Sequence, residues 1–268
     1  MLAGRARTAE LFSLVYPEIP DFDLDRYLLS GGLPDVYLSD SPFEELKAYV
    51  DTYLKEEILA EGLIRSLPSF ARFLSTASQC AGQLINFSAV ASDSQVGEGT
   101  VRNYYQILTD TLLGFQLEPF LKTKTRKAIQ TAKFYFFDLG IMHQLLGVRS
   151  LSPKIVQYGF AFEHWIAQEL RAYLSYNRLE APLGFWRSTA KHEVDFTLGT
   201  TLAIEVKAKN HISERDMDGI RALKEEGVFK KYFVVSLDTV ERKTEDGIEL
   251  IHWQNFMNRL WHQEWKIS

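Results

Sequence analysis

The stretch EVDFTLGTTLAIEVKA, residues 193–208, decides how the rest of the chain reads. Two runs alternate with a period of two and are separated by turn residues that include Gly199, so they predict strands over 193–198 and 202–208. On the second run Ile204, Val206 and Ala208 face one way, and Glu205 and Lys207 share the other with Ala203. On the first, Val194, Phe196 and Leu198 form the core face, opposite Glu193, Asp195 and Thr197. Antiparallel pairing would then bring Asp195 to Glu205 and Lys207 on one surface.

Working outward, 158–176 reads as a helix and 183–187 as a third short strand ahead of the other two. Residues 213–226 read as a helix ended by Gly227, and KYFVVSL, 231–237, reads as a buried-type strand. The order is helix, three strands, helix, strand, closed by a C-terminal stretch carrying Trp253, Phe256, Leu260 and Trp261. Glu163 sits in the first of these helices among Gly159, Phe160, Ile166, Ala167 and Leu170. A carboxylate on that apolar face is costly unless a cation or a lysine compensates it.

Three carboxylates converging with one lysine suit a hard divalent cation, Mg²⁺ or Mn²⁺, which takes carboxylate, water and phosphate oxygens. Glu163, Asp195 and Glu205 are the expected ligands, with the Val206 carbonyl between the two chemical residues as a further one. Lys207 would hold or deprotonate the attacking water, or steady the oxygens around phosphorus. The plainer reading makes Glu205 and Lys207 a cross-strand surface pair. His192 has no second histidine at ligand spacing, which argues against zinc. Ser188 and Thr189 lack a nucleophile elbow, which argues against a serine hydrolase.

These residues carry a resemblance. Glu163, Asp195 and Glu205-Val206-Lys207 look like the motif of the PD-(D/E)XK nuclease superfamily, and the element order resembles that family's αβββαβ core. Val194 stands where the motif has proline. A wider resemblance, through LLSGGLPDVYLSD, YVDTYLKEEI, TVRNYYQILTDTLLGF, KFYFFDLGI and FEHWIAQELRAYL, is to the C-terminal region of a family of prokaryotic AAA-type ATPases. There a P-loop domain comes first. This chain has no Gly-Lys dipeptide, hence no Walker A loop and no ATP site, so ATP hydrolysis is not carried over with the resemblance.

The expected architecture is α+β in three blocks. Residues 1–66 form an acidic helical segment, the remnant of the ATPase junction: Asp21, Asp23 and Asp25 lead into one short helix, and Ser41-Pro42 opens a second. The second carries Phe43, Leu46, Val50, Tyr53, Leu54 and Ile58 on one stripe and ends near Gly62. An acidic face repels DNA and fits a protein partner, such as an AAA-type ATPase. Residues 67–150 read as helix, short helix, a turn at Gly97 and Gly99, and a third helix capped by Thr100. Two strands, 115–121 and 133–137, follow. That is a winged-helix pattern. Between Glu118 and Asp138 there is no acidic residue, while Lys122, Lys124, Arg126, Lys127 and Lys133 fall there. With Arg102 and Arg187 these are the expected nucleic-acid contacts. Residues 151–268 form the nuclease-like domain.

The 268 residues carry 30 Lys and Arg against 35 Asp and Glu, a net charge of −5, so nucleic-acid contact must come from a local patch. One cysteine, Cys80, excludes a disulfide framework and fits the cytoplasm. No apolar run approaches membrane-span length. The functional expectation is a DNA-associated protein with a Mg²⁺-dependent phosphodiesterase domain. The alternative is a catalytically inactive adaptor that docks DNA or a protein to an AAA-type ATPase.

Overall fold

One eight-stranded mixed sheet organises the chain, as seen in a computed structural model that describes residues 10–52, 58 and 62–267. Its strands are β1 (Gly114–Pro119), β2 (Lys133–Phe136), β3 (Leu183–Arg187), β4 (Glu193–Leu198), β5 (Leu202–Lys207), β6 (Lys231–Ser236), β7 (Arg242–Lys243) and β8 (Glu249–His252). They lie in the order β2-β1-β3-β4-β5-β6-β8-β7. The helices are α1 (Leu24–Ser30), α2 (Pro34–Tyr37), α3 (Pro42–Ala48), α4 (Leu67–Gln79), α5 (Phe87–Ser94), α6 (Glu98–Asp110), α7 (Leu139–Leu146), α8 (Val156–Tyr176), α9 (Asp218–Lys224) and α10 (Trp253–Trp261).

The sheet crosses the boundary expected near residue 150. The β1–β2 hairpin is antiparallel, and β1 then pairs parallel with β3 through Glu118↔Gly184 and Pro119↔Phe185. Both strands would otherwise leave a row of unpaired backbone groups, and joining them satisfies two edges at once. The hairpin is therefore an extension of the third block's sheet.

Two hydrophobic clusters cover the sheet's faces. The larger unites Phe185, Phe196, Ile204 and Val206 with Phe162, Trp165 and Ile166 of α8, and continues into Tyr27 and Leu28 of α1. The smaller joins Trp186, Val194, Ala203 and Val234 to Ile220 and Leu223 of α9. Gly219 lets α9 lie directly on β4: a Cβ there would sit 1.9 Å from the carbonyl oxygen of Glu193. The N-terminal helices are tied down by Asp138. Its buried carboxylate accepts from the Ser13 hydroxyl and the Gly32 N–H, and caps α7 through the Gly140 N–H.

Several ends differ from the sequence reading. Helix α6 starts at Glu98 with Gly97 as its extended cap, so Thr100 lies inside the first turn. The helix expected over 213–226 divides into a 3₁₀ turn, Glu214–Met217, and α9. Strands β7 and β8 were not foreseen, because runs of two and four residues carry almost no periodic signal. The α-helical part of the Pro42 helix is Pro42–Ala48, and Tyr53 and Leu54 lie outside the described residues. No helix among the described residues is long and apolar enough to cross a membrane.

Candidate active site

Strands β4 and β5 are paired only through Phe196↔Ile204, Thr197↔Ala203 and Leu198↔Leu202. Beyond Phe196 they part, and Asp195 on one side faces Glu205, Val206 and Lys207 on the other. A register shift on the other flank explains the aim of Asp195. Gly184 pairs with Thr197 but Trp186 pairs with Val194, which sets both Asp195 and Phe196 against Phe185. That is a bulge, and a bulge re-aims a side chain. It also breaks the strict alternation expected for β4: Val194 packs with the α9 cluster, while Phe196 and Leu198 pack with α8.

The gap is closed by side chains. The Val206 N–H donates to Asp195 Oδ2 at 2.7 Å. The Lys207 ammonium bonds Glu205 Oε1. The second oxygen of Glu205, Oε2, is buried with no hydrogen-bond partner among the described residues. Burial first, then the charge of Asp195, pushes the Glu205 carboxyl well above its usual range. Burial and the charge of Glu163 push Asp195 up in the same way. For Lys207 burial would lower the pKa, but Asp195 and Glu205 hold it above the ordinary value.

Glu163 comes to the same region from α8 with partners that sequence reasoning did not assign to it. Tyr135 donates its hydroxyl to Glu163 Oε1 at 2.7 Å, and the Lys133 ammonium lies 3.2 Å from the same oxygen. Lys133 also pairs with Glu193 at 2.7 Å, and Arg187 pairs with Glu193 at 3.2 Å. The Lys133 side chain is only 4% exposed. Burial alone would lower its pKa, yet Glu163, with Tyr135, Asp195 and Glu193, holds it well above the ordinary value. Lys133 thus corrects the sequence reading: its charge is spent inside the site rather than on a nucleic-acid surface. The signal was present in KFYFF, where Lys133 and Tyr135 share one strand face. His164, beside Glu163, turns inward and donates to the Phe136 carbonyl at 2.7 Å, and burial lowers its pKa to about 4.

The oxygen set fits a hard cation in part. Asp195, Glu205 and Val206 meet at the parted strands, and the unpartnered Glu205 oxygen and the raised carboxyls mark a place short of positive charge. Glu163 is held to the side by Lys133 and Tyr135. Among the described residues no three His, Cys, Asp or Glu side chains are gathered as a metal would require.

The other expected contacts divide. Lys122, Lys124 and Lys127 are exposed, and no ion pair recorded among the described residues involves them. Arg126 pairs with Glu225 and Glu226. Arg102 pairs with Glu98 at 2.7 Å and lies 3.9 Å over the Phe87 ring, so both its charge and its face are engaged. The loop bearing the lysines is no free wing. The Glu226 carboxylate, wholly buried, accepts the backbone N–H groups of Lys124, Thr125 and Arg126 at 2.6, 2.8 and 3.0 Å. A second seam joins this loop to the β3–β4 turn: Thr189 N–H donates to the Lys127 carbonyl at 3.0 Å, and Ala128 bridges Ser188.

Two family models match the chain. Residues 21–152 match a domain of unknown function (DUF8612), and residues 158–256 match another (DUF4143). The second is commonly the C-terminal region of AAA-ATPase-like proteins. The chain is 28% identical over 214 residues to the uncharacterized proteins Mb2031c of Mycobacterium bovis and Rv2008c of Mycobacterium tuberculosis, covering 77% of this chain and 48% of each relative. It therefore spans about half the length of these curated relatives. No solved structure gives a significant match.

Proposed function

We propose that the chain is a DNA-associated module with a PD-(D/E)XK-like, Mg²⁺-dependent phosphodiesterase centre at the parted ends of β4 and β5. The observation that carries this reading is the bulge that sends Asp195 across the gap to Glu205, Val206 and Lys207. Asp195 and Glu205, with the Val206 carbonyl, would hold the ion. When bound, it would lower the pKa of a water and stabilise charge on phosphorus.

The protein's own residues do the rest. Lys207, kept protonated by its carboxylate neighbours, orients the attacking water and stabilises the oxygens around phosphorus. Lys133 and Tyr135 fix Glu163 at the flank and offset part of its charge, the rest of which still raises the Asp195 carboxyl. The helices α4–α6 and the β1–β2 hairpin would serve as a winged-helix-like element whose loop offers Lys122, Lys124 and Lys127 to phosphates.

A second reading, a non-cleaving DNA- or protein-binding adaptor of an AAA-type ATPase, is favoured by a different observation. Lys133 pairs with Glu163 and Glu193, and Lys207 with Glu205, so lysines already offset much of the charge of these carboxylates. Incubating labelled DNAs (duplex, forked and single-stranded) with the full chain and Mg²⁺ or Mn²⁺, beside Lys207→Ala, separates the two. Metal-dependent cutting lost in the variant supports the phosphodiesterase. Binding without cutting by the wild type supports the adaptor.

A further inference from the structure

Two carboxylates from different elements converge on the Lys133 ammonium, Glu163 of α8 at 3.2 Å and Glu193 of β4 at 2.7 Å, and the lysine side chain is only 4% exposed. The Tyr135 hydroxyl donates to the same Glu163 oxygen at 2.7 Å. Carboxylate oxygens gathered around one enclosed point are what a hard divalent ion seeks. Here a charge built into the chain already fills that point. The lysine also comes from outside the unit that supplies its partners. Lys133 lies in the matched stretch 21–152, whereas Glu163, Glu193, Asp195 and Glu205 all lie in 158–256.

The charges around the parted strands limit how many ions can enter. Arg187, Glu193, Lys133 and Glu163 form one run of ion pairs, and Lys207 pairs with Glu205. Asp195 lies within electrostatic reach of both lysines. Among these residues four ionised carboxylates face three cations, so one negative charge is in excess. Before substrate arrives, one divalent ion would turn that into a single positive excess, and a second would leave three positive charges. Uncompensated charge of that size is costly in a largely enclosed site. The oxygens agree with the count. Glu205 Oε2 is buried with no hydrogen-bond partner among the described residues, whereas the Glu163 and Glu193 oxygens that meet Lys133 are taken. No three acidic side chains gather at one point among the described residues, so Asp195, Glu205 and the Val206 carbonyl can serve one ion and not two.

We propose that the centre takes a single divalent ion, at Asp195 and Glu205, and that Lys133 permanently fills the place of a second. This rests on the phosphodiesterase reading and goes beyond it by fixing the ion count and giving the second charge to the protein. Two-metal centres clamp the attacking and the leaving oxygens with an ion on each. An ammonium supplies charge but coordinates no water, so Lys133 takes over only the electrostatic half of a second ion's task.

The test is Mn²⁺ titration of the full chain, with bound ions counted per chain by electron paramagnetic resonance. Wild type should saturate at one ion. Lys133→Ala vacates the ammonium's place and leaves Glu163 and Glu193 with room for an ion and its waters, so it should saturate at two. Lys133→Ala with Glu163→Gln and Glu193→Gln should return to one. Circular dichroism checks that each variant is folded. Should the alanine variant be unfolded, Lys133→Met is read in its place: its uncharged side chain is one atom shorter than lysine, and the same count of two is expected. A wild type that binds two ions would overturn the stand-in and leave the phosphodiesterase reading intact. So would a folded Lys133 variant that still binds one, or a triple variant that still binds two. A wild type that binds no Mn²⁺ would remove both.

Discussion

Replacing Lys133 by methionine keeps most of the side chain's length and removes its charge. The wild-type ammonium is almost fully enclosed and faces two carboxylates, Glu193 at 2.7 Å and Glu163 at 3.2 Å. Removing one partner of a buried ion pair costs about 3–5 kcal/mol, because the other charge is stranded. Glu163 and Glu193 keep some solvent, with side chains 19% and 28% exposed. Glu163 also keeps the Tyr135 hydroxyl, and Glu193 keeps Arg187. The lower end is therefore appropriate, about 3 kcal/mol. For a chain of this size that corresponds to a fall in Tm of about 6–12 °C. Urea unfolding by circular dichroism should show a lower midpoint at an unchanged slope. Lys133→Met with Glu163→Gln and Glu193→Gln should recover most of the loss, because both carboxylates are then gone and Arg187, which loses Glu193, keeps a third of its side chain in solvent. A loss under about 1 kcal/mol, or a triple variant no better than the single one, would refute the internal counter-ion.

Glu169 is buried on α8 and accepts from the Tyr16 N–H and the indoles of Trp165 and Trp261, and burial raises its pKa from 4.5 to about 7. A raised carboxyl makes the folded state bind more protons than the unfolded chain. Stability is therefore highest below about pH 4.5 for this group and falls as pH rises toward 7, by about 3 kcal/mol in all. Glu169→Gln should flatten that slope in urea midpoints taken across the interval, and an unchanged slope would refute the assignment. Glu226→Ala strands three N–H donors, so it should destabilise by about 3 kcal/mol and speed amide exchange at Lys124, Thr125 and Arg126. Unchanged exchange there would contradict the anchoring of the loop. Tyr135→Phe removes one charge-assisted bond to Glu163 and should cost about 1–2 kcal/mol by the same unfolding assay; a neutral result would contradict that bond.

The ends of β3 and β4 were legible to the residue, because both runs are bounded by turn residues. Asp195, Glu205 and Lys207 could be named from the same pattern. The bulge could not be, since nothing in VDF says that one extra residue is inserted against Phe185. Lys133 was visible as a basic residue but was assigned to a surface, because its partners Glu163 and Glu193 lie 30 and 60 positions away. Charge patches read along the chain assume exposure, and the β1–β3 pairing removed that assumption for Lys133 and, through Glu226, for Arg126. Phe160 failed in the opposite sense: an apolar residue beside an apolar stripe was taken as core, and the helix turned it outward.

The cation site at the parted strands is the central claim, and Mn²⁺ titration followed by electron paramagnetic resonance tests it most directly. Wild type should bind the ion, and Asp195→Asn with Glu205→Gln should lose it while folding normally. A wild type that leaves Mn²⁺ free in solution, or a double variant that binds it equally well, would contradict the account.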